Sequence, residues 1–91
     1  MLNVLIPIDF SSTSYNAMSY AIEFQKEFTF SITCMHAFKE NKPRRRIDKF
    51  NTHFPFEFKI NLIKGDLFSC FEHYENRNKI DLIIMGTKGA Q

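Results

Sequence analysis

Two glycines near the end of the chain, Gly86 and Gly89, follow the apolar run Ile80, Leu82, Ile83, Ile84 and Met85. Glycine reaches backbone angles closed to other residues, so a loop of this kind can bring main-chain N–H groups close to a bound anion. The same G-x-x-G spacing also suits a plain turn after a strand. Lys88, between the glycines, reads either as a phosphate contact or as a solvated loop lysine, and without the Lys-Ser/Thr ending of a P-loop this is not a Walker site. Asp9 follows another apolar run, Val4 to Ile6, and its carboxylate reads either as a ligand contact or as a cap for the helix behind it. Ser11, Ser12, Thr13 and Ser14 offer hydroxyls to the first free N–H groups of that helix. No base or orienting group accompanies them, so they are read as caps rather than nucleophiles.

The remaining reactive side chains form no constellation. Cys34 and His36 share one face of a strand, but nothing nearby supplies a third or fourth ligand, and no metal is assigned. His36 is expected to pack at a strand end, and His53 and His73 to lie on the surface. Arg44, Arg45 and Arg46, with Lys39, Lys42 and Lys49, make the one basic cluster, read as a solvated loop because no aromatic platform is interleaved.

The elements that must position these residues alternate along the chain. Leu2 to Pro7 reads as a buried first strand. From Tyr15 to Phe28, apolar positions Ala17, Ala21, Phe24 and Phe28 recur at helical spacing, widened by Met18 and Ile22. Thr29 to His36 is a second strand, and Ile47, Phe50 and Phe54 predict a short crossover helix that stops before Pro55. Phe56 to Lys64 alternates apolar and polar, which places a third strand at an edge with one face wet. Asp66 can cap a helix with a buried stripe of Leu67, Phe71 and Tyr74 beside Phe68 and Cys70. The uninterrupted run from Ile80 suits a fourth strand buried on both faces. This order predicts an α/β fold: a three-layer open parallel sheet, strand order 3-2-1-4, with helices on both faces and ligands bound beyond the strands' carboxyl ends. Asp9 and the Gly86 loop would then face each other.

The totals narrow the classes. Ninety-one residues leave room for a single domain, and 44% hydrophobic with 24% charged side chains describes an ordinary soluble protein. A net charge of +2 is too small to imply nucleic acid or an acidic membrane as the main partner. No apolar run reaches the length of a membrane span, no signal peptide is visible, and two irregularly placed cysteines suggest buried thiols; the cytoplasm is the expected location.

Four segments together resemble the universal stress protein family: Val4 to Phe24 its first strand, aspartate and first helix; Ile32 to Phe38 its second strand; Gly65 to Phe68 the turn before a helix; and Lys79 to Ala90 its fourth strand and glycine loop. The resemblance implies a Rossmann-like fold of the adenine-nucleotide α-hydrolase group, often dimeric, with an ATP site in one subset. It carries the site onto Asp9, Ala37, Met85, Gly86 and Gly89, with Asp9 accepting from adenine or ribose, Ala37 and Met85 packing on the base, and the loop facing phosphate. In the family the motif runs on past its second glycine to a Gly-Ser or Gly-Thr pair. This sequence stops at Gln91, so the expectation is a domain without the C-terminal helix and fifth strand, binding ATP weakly or not at all. It is read as a non-catalytic stress-response or regulatory module, a homodimer through the fourth-strand edge. The alternative is a nucleotide-hydrolysing or adenylate-transferring enzyme domain of the same broad fold; a receiver or flavodoxin-like domain is a more distant third reading.

Overall fold

Side-chain alternation along the first strand decides the layering. In the computed structural model, which describes residues 2–86, β1 (Leu2–Pro7) points Val4 and Ile6 to one side of the sheet and Leu5 to the other, all nearly inaccessible to solvent. Val4, Ile6 and, just beyond the strand, Ile8 join one core, and Leu5 a second. A strand buried on both faces must be central, and β1 lies between β2 (Phe30–Phe38) and β4 (Leu82–Ile83). With β3 (Lys59–Lys64) on the far side of β2, the sheet is wholly parallel in the order β3-β2-β1-β4. The expected α/β architecture, helices on both faces, is the observed one.

The first core lies under α1 (Ser12–Gln25) and α2 (Arg44–His53). Ser14, Ala17, Met18 and Ala21 form the buried stripe of α1, and the two alanines let the helix approach the sheet closely. Met18 is fully buried with its Sδ 3.5 Å from the Cys34 thiol. Phe50 of α2 is fully buried and meets Tyr15, Phe10, Phe54 and Phe58 at ring distances of 4.9 to 6.0 Å, mostly edge-to-face. Helix α2 stops where expected, because the residue before a proline is pushed out of the helical region: Phe54, preceding Pro55, sits at φ −115 and ψ 88. The second, smaller core packs Leu5, Met35 and Cys70 under α3 (Leu67–Arg77). Asp66 caps α3 as predicted, its carboxylate accepting from the Ser69 N–H at 2.9 Å. Gly65 turns the chain into that helix at φ 136, where a side chain would be strained, and its N–H donates to the Phe38 carbonyl.

Several expectations are corrected. Helix α1 ends at Gln25 rather than Phe28, because the N–H groups of Lys26 and Glu27 turn to carbonyls three residues back; Phe28 is left exposed. Pairing of β3 starts at Lys59, opposite Thr33, rather than at Phe56; Phe56 and Phe58 pack on the first core from outside the strand. The α3 stripe is narrower than its sequence suggests: Cys70 is buried and Phe71 and Tyr74 half-buried, while Leu67 and Phe68 are exposed. Strand β4 is not buried on both faces. Its register with β1 covers Leu82 and Ile83, held by the Asp81 N–H donating to the Asn3 carbonyl and the Ile84 N–H to the Leu5 carbonyl; both side chains are exposed, and no described residue pairs with its outer edge. Among the described residues, no helix is long and apolar enough to cross a membrane.

Candidate functional site

At the carboxyl end of β1 the chain leaves the sheet through Ile8, Asp9 and Phe10 and enters α1 at Ser11. Asp9 Oδ1 accepts from the Ser11 N–H at 2.9 Å, the Ser11 hydroxyl, and the Ser14 hydroxyl at 2.8 Å. The Asp9 N–H donates back to Ser14 Oγ at 2.8 Å. These contacts correct the capping expectation. Ser11 holds the N-cap position but makes no side-chain cap bond; it and Ser14 turn to Asp9 instead of to the helix's free N–H groups. The Ser11 hydroxyl contributes most to holding the Asp9 carboxyl below the usual aspartate range; burial opposes it as the next largest effect, and the Ser11 N–H and the Ser14 hydroxyl add to the lowering. Asp9 therefore stays ionised at neutral pH. The stability these bonds supply is complete above the unfolded-state value, about pH 4, and is lost as pH falls through the folded value. Among the described residues no hydrogen bond reaches Oδ2.

Asp9, Ala37, Met85 and Gly86, four of the residues singled out from the sequence, line one cleft of about 190 Å³. It opens beyond the carboxyl ends of β1, β2 and β4, where the order of strands reverses. Gly89 and Lys88 lie outside the described residues. Gly86 is required sterically, because a Cβ there would stand 2.0 Å from the Thr13 carbonyl oxygen. Main chain thus touches main chain where β4 ends and α1 begins. Met85 is exposed and Ala37 half-buried, so an apolar surface is available to a planar group.

Sequence reasoning missed Thr13, Ser14, Leu67 and the site role of His36, which complete the wall with Pro7 and Ile8. Ser14 was legible, since it continues the Ala17, Met18, Ala21 periodicity by one turn. Leu67 carried no signal beyond its apolar character. His36 is buried, but β2 runs past it to Phe38 rather than ending there; its Nδ1 lies 2.8 Å from the Ile8 carbonyl oxygen, so it fastens the loop that carries Asp9. His53 is exposed, yet it stacks edge-on against Tyr15 and Phe54.

The cleft's described lining includes one carboxylate and no Lys or Arg. Ligand donors such as an amino group or ribose hydroxyls suit the Asp9 end, and an anionic group must lie away from it. A carboxylate held at low pKa is a weak general base. Burial pushes the Cys34 thiol up to about 12, which keeps it protonated, and the Cys70 thiol is raised mainly by desolvation and further by Asp66. The two thiols occupy separate cores and are free. Among the described residues no group of His, Cys, Asp and Glu could hold a metal ion. A larger polar cleft of about 300 Å³, lined by Asn3, Ser31, Lys59 and Asn61, opens near the amino ends of the strands and includes none of the sequence-derived site residues.

No protein-family model matches the sequence, and no curated protein does. Among solved structures, the fold is similar to the crystal structure of a protein from the universal stress protein family from Burkholderia pseudomallei. The TM-score is 0.65 and the identity 18%, over 93% of this chain and 80% of that one. The fold is therefore that of the universal stress proteins, as the four sequence segments implied.

Proposed function

We propose that this protein is a universal-stress-type regulatory module of the cytoplasmic stress response, non-catalytic, which binds an adenine nucleotide with low affinity through the Asp9 cleft. The observation that carries this reading is the meeting of Asp9, Ala37, Met85 and Gly86 in one cleft at the point where the strand order reverses. The base packs on Ala37 and Met85, Asp9 accepts from the base or ribose, and the phosphates point toward the loop that begins at Gly86. The size of the cleft supports low affinity, since the about 190 Å³ lined by described residues falls below the roughly 300–1,000 Å³ of most small-molecule pockets. The weak basicity of Asp9 supports a non-catalytic role, and free buried thiols suit a reducing compartment. Calorimetric titration with ATP should give a Kd on the order of 0.1 to 1 mM. Asp9→Ala should weaken it at least about twelvefold, roughly 1.5 kcal/mol, the value of one hydrogen bond to a charged group at its lower end. Equal affinity in the variant, or ATP turnover above background, would contradict the proposal.

The same reading includes a second copy as partner. Among the described residues β4 is paired on its β1 side alone, and its Leu82 and Ile83 border an apolar groove of about 540 Å³ shared with Tyr20 and Phe24 of α1. An apolar strand edge of this kind, without Lys, Pro or a bulge, invites pairing. Two copies related by a two-fold axis would pair β4 with β4 and close both grooves with self-complementary contacts. Light scattering coupled to size exclusion should show a dimer at high micromolar concentration and a monomer for Ile83→Lys. A wild-type monomer under those conditions would contradict the pairing.

A further inference from the structure

Among the described residues, Phe10 is the one non-glycine residue with left-handed backbone, at φ 64. A bulky side chain keeps that conformation only when its surroundings hold it there. The Phe10 ring lies 4.7 Å from the His36 ring and 5.6 Å, edge-on, from Phe50, with the Arg46 guanidinium 5.8 Å from its centroid. The chain is fastened on both sides of this ring. Before it, the Ile8 N–H donates to the Met35 carbonyl at 2.9 Å and the Ile8 carbonyl meets His36 Nδ1. After it, the Ser11 N–H reaches back over Phe10 to Asp9 Oδ1. That short reach closes over the reversal made at Phe10.

We propose that Phe10 is the positioning residue of the Asp9 cleft: its ring, wedged between His36 and Phe50 beneath Arg46, holds the left-handed turn that folds Asp9 onto Ser11 and Ser14. The ligand part of this inference rests on reading the cleft as a nucleotide site; the geometric part does not. A ring that merely filled the core would lower global stability when removed and leave the ionisation of Asp9 unchanged. A positioning ring would move it, because the bonds that keep Asp9 ionised depend on the turn.

The test is to follow the Asp9 side-chain carboxyl carbon by NMR through an acid titration, in protein without ligand. Wild type and Phe10→Tyr, which keeps the ring, should titrate below the usual aspartate range. In Phe10→Ala, which keeps a Cβ in the left-handed region but loses the anchor, the midpoint should rise toward that range. Phe10→Gly should fall between, since glycine takes the turn without penalty yet has no ring to enforce it. ATP affinity should follow the same order, at least tenfold weaker in Phe10→Ala than in wild type. A folded Phe10→Ala with an unchanged Asp9 midpoint would overturn the proposal. If that variant does not fold, Phe10→Leu replaces it: a raised midpoint supports the positioning role and an unchanged one overturns it. Should wild type bind no ATP, the nucleotide reading fails while the titration still decides the role of Phe10.

Discussion

Gly86→Ala should abolish nucleotide binding while leaving the protein folded. The added Cβ would stand 2.0 Å from the Thr13 carbonyl oxygen and 2.5 Å from its carbonyl carbon, both main-chain atoms that no side-chain rotation can clear. The end of β4 must therefore move away from α1, and the cleft that both elements line opens. A gap of about 0.5 to 1 Å forfeits roughly a quarter to a half of each van der Waals contact the walls make with a ligand, a loss that a site of millimolar affinity cannot absorb. Because Gly86 lies beyond the last paired residue of β4, the sheet pairing of Leu82 and Ile83 can survive, and the melting temperature should fall by only a few degrees. Proton–proton Overhauser contacts between Thr13 and residue 86 should disappear together with ATP binding. Retention of both in the alanine variant would mean that the two segments do not meet as described.

Phe50→Ala should have the largest effect on stability. Phe50 is fully buried and joins α2 to Tyr15 of α1, to the Phe10 turn and to Phe54 and Phe58. Removing a buried phenyl ring typically costs about 3 to 5 kcal/mol, the spread reflecting how far neighbours collapse into the cavity. Here those neighbours are themselves rings held edge-on, which limits collapse. A domain of this size has a total stability of about 5 to 10 kcal/mol, so the variant should melt at least about 15 °C lower or fail to fold. Phe50→Leu should lose much less. Denaturant unfolding followed by circular dichroism checks both, and a Phe50→Ala melting temperature within a few degrees of wild type would show that α2 does not seal the first core.

Much of the architecture was readable because the patterns of β1 and β3 agree with the neighbours those strands have. The continuous run Val4, Leu5, Ile6 marks β1 as central, and the alternation around Ile60 and Leu62 marks β3 as an edge; those two facts nearly fix the order β3-β2-β1-β4. The cleft was readable through the resemblance combined with the rule that ligands bind where the strand order reverses. What escaped depends on tertiary contacts. No local pattern announces a left-handed phenylalanine, since Phe10 takes that conformation only with His36 and Phe50 packed against it. Ser14 looks like its hydroxyl neighbours until helical phase sets it apart. Leu82 and Ile83 were misjudged for a different reason: an apolar run records that a surface favours burial, and says nothing about what covers it.

Whether Asp9, Ala37 and Gly86 form one adenine-nucleotide cleft is decided by amide-resolved NMR during an ATP titration. The Asp9, Ala37 and Gly86 amides should show saturating shifts with a common midpoint on the order of 0.1 to 1 mM, while Asn3, Ser31 and Asn61 in the opposite cleft stay unchanged. Unshifted site amides at about 5 mM ATP, where a site of 1 mM affinity is mostly filled, would contradict that reading. So would shifts centred on Asn3, Ser31 and Asn61.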